Sequence, residues 1–311
     1  MSEGDRLDVL VVGPSYCDLT FTGLGDLPAA GHERFADAVH LTAGGSAITA
    51  IALARRGRRV ALLDDVGDDA HGAVIVDALM REGVATDLLR RDARATAVTV
   101  VLPVGSDRAF VTHLPSDGPS GPPDLAAALL SQRPRWIHVA GTAPARTHAE
   151  LTTLARRAGA RVAFDPGWHD VDLDASEVRE LARSCDVLLP NRVEAVRLAD
   201  LPDAASEDAA RRALLRLAET RRDAVTVVKD GVRGAWGVGP DSQRVRHAAA
   251  PPAKVVDATG AGDVFDAAFL DAWIDGATLD AALASGASAG AAAVGQVGGA
   301  TEAPRRVRSE P

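Results

Sequence analysis

The residues best suited to chemistry in this chain lie together at Asp257-Ala258-Thr259-Gly260-Ala261-Gly262-Asp263. Small residues at Gly260, Ala261 and Gly262 let the backbone turn tightly and bare its N–H groups. Apolar spacing from Val264 to Trp273 predicts a helix directly after them. Unpaired amides at a helix N-terminus, helped by the helix dipole, favour a negative charge. A carboxylate at the same point does not bind an anion. It is explained if a phosphoryl group rests on the amides while Asp263 takes a proton from an attacking hydroxyl. The competing explanation is structural: an Asp that caps a helix after a glycine turn.

A second pair supports phosphoryl chemistry. Asn191, the only asparagine of the chain, precedes Glu194 by three positions. A phosphoryl donor arrives with Mg²⁺, which prefers oxygen ligands and keeps several waters, so an amide and a carboxylate can position it through its hydration shell. The same spacing also suits a capping box. Other nucleotide and hydrolase signatures fail. Neither Lys229 nor Lys254, the only lysines, follows a glycine, which excludes a Walker A loop, and no G-x-G-x-x-G occurs. Gly286-Ala287-Ser288-Ala289-Gly290 matches a nucleophile elbow but falls inside an Ala-rich helical pattern. His32-Glu33 lacks the second histidine of a zinc protease, and no Cys/His cluster has metal spacing.

Positioning these residues requires a framework, and hydrophobic periodicity supplies one. Apolar, largely β-branched runs at 8–12, 60–63, 136–139, 162–164, 187–189 and 224–228 predict strands. Helical spacing at 47–56, 72–82, 125–131, 148–158, 176–183 and 206–221 predicts helices between them. Short continuous apolar strands alternating with helices indicate an α/β fold, a mostly parallel central sheet with helices on both faces. Two stretches break the rhythm. Residues 20–39 carry Gly23, Gly25, Pro28 and Gly31 without a helical stripe, and 96–112 reads as strands 97–102 and 108–112 around a Val-Gly-Ser-Asp turn. Together they predict a small antiparallel β lid (20–39 and 96–112) over a core of 1–19, 40–95 and 113–311, above the carboxyl ends of the parallel strands where open α/β sheets bind ligands. Ser116 to Pro123 reads as a loop and Pro304 to Pro311 as a disordered tail.

Composition narrows the class. A net charge of −9 argues against nucleic acid as a partner, since neutralising phosphates needs a basic stripe. The arginines at 55, 56, 58 and 59 flank Gly57 at a predicted helix end, where cations are favourable. The opening residues lack a basic segment and a membrane-length apolar run, and Cys17 and Cys185 are too few for a disulfide framework, which predicts a cytoplasmic protein without membrane contact.

The segment 257–263 resembles the D-T-x-G-A-G-D signature of the PfkB family of carbohydrate kinases, with Ala258 and Thr259 as the variation. The resemblance spans most of the chain. Gly44-Gly45-Ser46-Ala47 before a helix resembles the family's N-terminal glycine motif. Val66-Gly67-Asp68-Asp69 with Gly72, then Arg81-Glu82-Gly83-Val84, resembles a second segment, and Asn191 to Glu194 the N-x-x-E motif. It implies a ribokinase-like fold and ATP-dependent transfer of the γ-phosphoryl group to a hydroxyl of a small sugar or sugar-like molecule. By the same resemblance Asp263 is the base, and the amides of Gly260, Ala261, Gly262 and Asp263 form an anion hole. Asp18, Gly44 and Gly45 meet the substrate. Asn191, Lys229, Gly231, Thr259, Gly262 and Ala287 meet ATP. Asn191 and Glu194 hold Mg²⁺ through water, Asp257 helps hold a monovalent cation such as K⁺, and the lid pairs two copies into a homodimer. Departures bear on the acceptor. Ile48 replaces an Asn common in the family, Lys229 a common Thr or Ser, and Gly25-Asp26-Leu27-Pro28 offers no cation, which favours a neutral sugar, a sugar acid or a nucleoside. A nucleoside kinase of the same fold is one alternative. A non-catalytic sugar or nucleotide sensor is the other, although a sensor needs no base.

Overall fold

The structure is a computed structural model that describes residues 6–104, 107–115, 124–147, 150–167, 172–240 and 242–299. The expected loop at 116–123, the expected tail at 304–311 and the start of the predicted helix at 148 lie outside those residues. Nine strands form the main sheet. Within it β1 (Val9–Val12) is flanked in parallel by β4 (Val60–Gly67) and β8 (Trp136–Ala140). Beyond β4 lies β5 (Leu89–Asp92). Beyond β8 follow β9 (Arg161–Asp165), β10 (Val187–Leu188) and β11 (Val225–Lys229), all parallel. The antiparallel strands β12 (Ala235–Gly239) and β13 (Ser242–Ala248) close that edge.

Alternation along β1 explains why its sequence is apolar throughout. Leu10 and Val12 pack into one buried cluster, while Val9 and Val11 pack into another on the opposite face. The first face is covered by α3 (Leu125–Gln132), α5 (Leu151–Arg157), α6 (Ser176–Ser184), α7 (Arg192–Leu198) and α8 (Ala209–Glu219). The second is covered by α1 (Ser46–Arg55), α2 (Ala70–Arg81), α9 (Ala261–Ile274) and α10 (Leu279–Ala293). A one-turn helix, α4 (Ala143–Thr147), follows β8. Among the described residues, no helix is long and apolar enough to cross a membrane.

The arginines at 55–59 do more than sit at a helix end. Arg58 Nε donates to Asp271 Oδ1 at 2.7 Å and its Nη2 to the Asp271 carbonyl at 2.7 Å, clamping the end of α1 onto α9. Arg55 pairs with Glu82 at 2.8 Å, tying α1 to the end of α2. The helix that follows the glycine turn is thereby fixed against the helix that begins at Ser46.

A second sheet of four strands has the order β3, β2, β6, β7. These are β2 (Ser15–Thr22), β3 (Ala38–Gly45), β6 (Val98–Val104) and β7 (Asp107–His113). The outer pairings are antiparallel, whereas β2 and β6 run parallel. The strands contributed by the N-terminal part begin at Ser15 and end at Gly45, so most of 20–39 is the connection between them. The sequence hides β2 because Ser15-Tyr16-Cys17-Asp18 mixes polar and apolar residues on both faces. β2 follows β1 after two residues and β3 runs directly into α1, so the small sheet is joined to the core without slack.

Candidate active site

The turn before α9 is held open by its glycine. Gly260 has φ 72, and a Cβ there would come within 2.7 Å of Gly299 Cα and 2.8 Å of Ile48 Cδ1. Ile48, in place of a polar residue, forms an apolar floor against this turn and is buried. Asp257 pins the turn from below: Oδ1 accepts the Thr259 N–H and Oδ2 the Gly298 N–H, both at 3.0 Å. Ala261 N–H is drawn onto the Ala258 carbonyl at 3.3 Å, so the expected four-amide hole narrows. Among the described residues, no backbone carbonyl accepts from Gly260, Gly262 or Asp263 N–H. Thr259 Oγ1 is likewise buried without a hydrogen-bond partner among the described residues. The bared donors at the start of α9 form a pocket suited to an anion.

Asp263 is the third residue of α9, beside those amides. Its Oδ1 accepts from Thr49 Oγ1 of α1 at 3.1 Å. Burial pushes its carboxyl up to about 7; Asp165 adds to the rise, while Lys229 and the Thr49 hydroxyl counter it. A carboxylate at that value is a strong base yet still ionised in useful proportion near neutrality.

Behind the turn lies a buried charge cluster. Lys229 Nζ donates to Asp165 Oδ2 at 2.9 Å and to Asp266 Oδ2 at 3.0 Å. The same ammonium is 3.5 Å from the place a Cβ on Gly262 would occupy, so its charge also backs the amide pocket. Burial alone would discharge Lys229, but Asp165, Asp266 and Glu194 hold it protonated. Burial alone would raise Asp165, but the Lys229 ammonium holds it below the ordinary carboxylate range. Asp266 is pushed well up by burial, despite the lysine. His138 on β8 is fully buried at the same face without a hydrogen-bond partner among the described residues, and desolvation lowers it to about 4, leaving it neutral.

Asn191 and Glu194 form a complete capping box at α7. Asn191 Oδ1 accepts from Val193 N–H (2.9 Å) and Glu194 N–H (3.0 Å), and Glu194 Oε2 accepts the Asn191 N–H at 2.8 Å. Asn191 Nδ2 donates to the other Glu194 oxygen at 2.5 Å. Burial, followed by the Asp165 charge, pushes Glu194 up to about 8. Beside this box opens a cleft of about 320 Å³, lined by 191–193 and by 229–233, including Gly231. Ala287, expected on a nucleotide wall, does not line it. Ala287 is 4% exposed and packs in the core with α9.

On the other side of Asp263 the small sheet contributes Asp18. A Cβ on Gly44 would lie 2.2 Å from Asp18 Oδ2, and one on Gly45 (φ 61) would lie 2.5 Å from the Pro14 carbonyl and against the Tyr16 ring. The two glycines thus make room for a carboxylate and an aromatic ring. Burial, then the charges of Asp263 and Asp257, push Asp18 up to about 7. Tyr16, the only tyrosine, is on the same strand: burial and then Asp64, Asp18 and Asp263 raise its phenol. Sequence reasoning passed over Tyr16, Thr49, Asp165 and Asp266. For Tyr16 a signal existed, because residues two apart on a strand share a face with Asp18.

Parallel sheet, two-sided helical cover and a four-stranded side sheet define a ribokinase-like α/β architecture. The chain belongs to the pfkB family of carbohydrate kinases, whose model matches residues 7–306. It is 26% identical over 309 residues to a ribokinase of Arabidopsis thaliana, covering 94% of this chain and 77% of that protein. It is 30% identical over 296 residues to an ATP-dependent ribose-1-phosphate kinase of Halopiger xanaduensis, covering 93% of each. The solved structure of Arabidopsis thaliana ribokinase complexed with ribose and ATP matches with a TM-score of 0.80 at 25% identity, over 96% of each chain. The protein is accordingly a carbohydrate kinase.

Proposed function

We infer that the protein transfers the γ-phosphoryl group of MgATP to a hydroxyl of a small sugar or sugar-like molecule. The observation that carries this is the neighbourhood of Asp263: a carboxylate raised to about 7, in the same helical turn as amides that no backbone carbonyl occupies among the described residues. The acceptor lies against Asp18, Gly44, Gly45 and Tyr16, and its reacting hydroxyl gives its proton to Asp263. The phosphoryl group in flight rests on the Gly260, Gly262 and Asp263 amides, with the Lys229 ammonium behind them. The nucleotide enters along the cleft at 191–193 and 229–233, with its phosphates directed toward the turn before α9. The Asn191–Glu194 pair at the start of α7 would hold the Mg²⁺ of the nucleotide through its waters, and the ion would offset phosphate charge there.

The four-stranded sheet acts as a lid over the acceptor, since it carries Asp18 and Tyr16 into the site. Its outer side, opposite Asp18, exposes Val39, Leu41 and Val111, a surface that suits pairing with a second copy. The test is a coupled assay of ADP formation across a panel of sugars, sugar phosphates and nucleosides, comparing the native protein with Asp263→Ala. The variant should lose about 10²- to 10⁴-fold in kcat with acceptor binding largely kept. Unchanged turnover would remove Asp263 from its role.

A further inference from the structure

Asp257 lies where the family resemblance calls for a monovalent cation, and the surrounding donors do not fit one. A cation of that kind needs free carbonyl and carboxylate oxygens turned toward it. Here the Asp257 carboxylate, whose side chain is 1% exposed, accepts the N–H groups of Thr259 and Gly298 at 3.0 Å and faces Arg108 Nε at 3.4 Å. The neighbouring Val256 carbonyl accepts from Arg108 Nη2. Both of these oxygens are therefore already met by hydrogen donors, and the charge beside the Asp257 carboxylate is a guanidinium.

We propose that Arg108 is a positioning residue that supplies, from within the chain, the positive charge otherwise taken from a bound monovalent cation, and that it ties the small sheet to the phosphate-binding turn. Three observations meet in this assignment. Asp257 holds the turn that leads into α9, Asp263 is the third residue of that helix, and the charges of both reach Asp18. Three negative charges there would repel an incoming phosphoryl group unless one is neutralised. Arg108 neutralises the one that also pins the turn, and its guanidinium stays charged at every working pH. Arg108 belongs to β7 of the small sheet, whereas Val256 and Asp257 lead into α9, so a single side chain couples the placement of the lid to the shape of the amide pocket. A buried carboxylate stripped of its partner is strongly disfavoured, so loss of Arg108 creates a demand for an outside cation.

The inference rests on the kinase reading for its functional consequence, and the experiment separates the two. The full-length protein, Arg108→Met and Arg108→Lys are compared in tetramethylammonium chloride and in potassium chloride at equal ionic strength. Thermal unfolding and MgATP titration calorimetry are the two readouts. The native protein should show the same Tm and the same MgATP affinity in both salts. Arg108→Met should lose roughly tenfold in MgATP affinity without potassium and regain most of it with potassium, its Tm rising by about 2 °C or more over the same exchange. Arg108→Lys, which keeps the charge, should remain close to the native salt independence. A native protein whose Tm or affinity climbs with potassium overturns the proposal, as does an Arg108→Met protein that behaves as the native one in both salts. If no form binds MgATP, the kinase reading fails while the Tm comparison still decides the role of Arg108.

Discussion

At the scale of single residues, the site is a contest between burial and charge. Asp263 and Asp18 are both pushed up to about 7, chiefly by burial, and each other's proximity contributes to Asp18. Both must be ionised for the proposed reaction, one as base and the other as acceptor of substrate hydroxyl protons. They titrate over the same range, so both protons are lost across one pH interval. Below about pH 7, log kcat/KM of the native enzyme should therefore climb with pH at a slope steeper than one. In Asp18→Asn one of the two protons is gone, and the slope should fall to one, with KM raised and a measurable kcat retained. A pH–rate profile of both proteins checks this; a native slope of one throughout would remove Asp18 from the titrating pair. The candidate base was legible in the sequence because its surroundings are local: the small residues and the helix they open are contiguous. Thr49 was not legible, since its contact with Asp263 bridges 214 positions and nothing in its own neighbourhood announces it.

At the scale of elements, the site depends on how α9 is held. Its N-terminus faces Thr49 and Ile48 of α1, and farther along Arg58 meets Asp271 at 2.7 Å with both side chains buried. Arg58 Nη2 also reaches Asp275 at 2.7 Å. Removing the cation strands Asp271 in the interior, so Arg58→Met should cost about 3–5 kcal/mol in denaturant unfolding. Arg58→Lys should recover little, because an ammonium cannot reproduce the fork that meets two carboxylates and a carbonyl. Equal stability of the native and Met proteins would show that packing alone seats α9. The same comparison explains what could be read in advance. The parallel strands β1, β4, β8, β9, β10 and β11 were legible as continuous apolar runs because both faces are buried. The strands β2, β3, β12 and β13 were missed as strands because each is half-exposed or interrupted by Gly237 and Gly239, so its pattern follows its neighbours. The arginines at 55–59 read as end charges because their acidic partners at 82, 271 and 275 are distant in the chain.

At the scale of the whole molecule, function and stability are set against each other in pH. Asp18, Asp64 and Asp263 have folded values of about 7 against an ordinary value of 3.8, and Glu194 about 8 against 4.5. Raised carboxylates bind their protons more tightly in the folded chain than in the unfolded one. Their contribution is fully present below the unfolded values near 4 and is lost as pH rises through about 7 to 8. Asp69 and Asp165 act in the opposite sense, since their lowered values favour the fold above the ordinary range and fail it in strong acid. The apo protein should thus be most stable in mild acid, roughly pH 5 to 6, and weaker at pH 8, where the proposed base is ionised and ready. Replacing the base by its uncharged isostere removes one of the opposing charges. Asp263→Asn should therefore gain more at pH 8 than at pH 5, the difference being on the order of 2 kcal/mol or several degrees in Tm, and its gain should vanish only below about pH 4, where the carboxyl is protonated in the folded and unfolded chains alike. Calorimetric scans of both proteins at the two pH values measure the difference directly. A variant that is less stable at pH 8, or whose gain is the same at both, would mean that the site does not hold Asp263 against its charge.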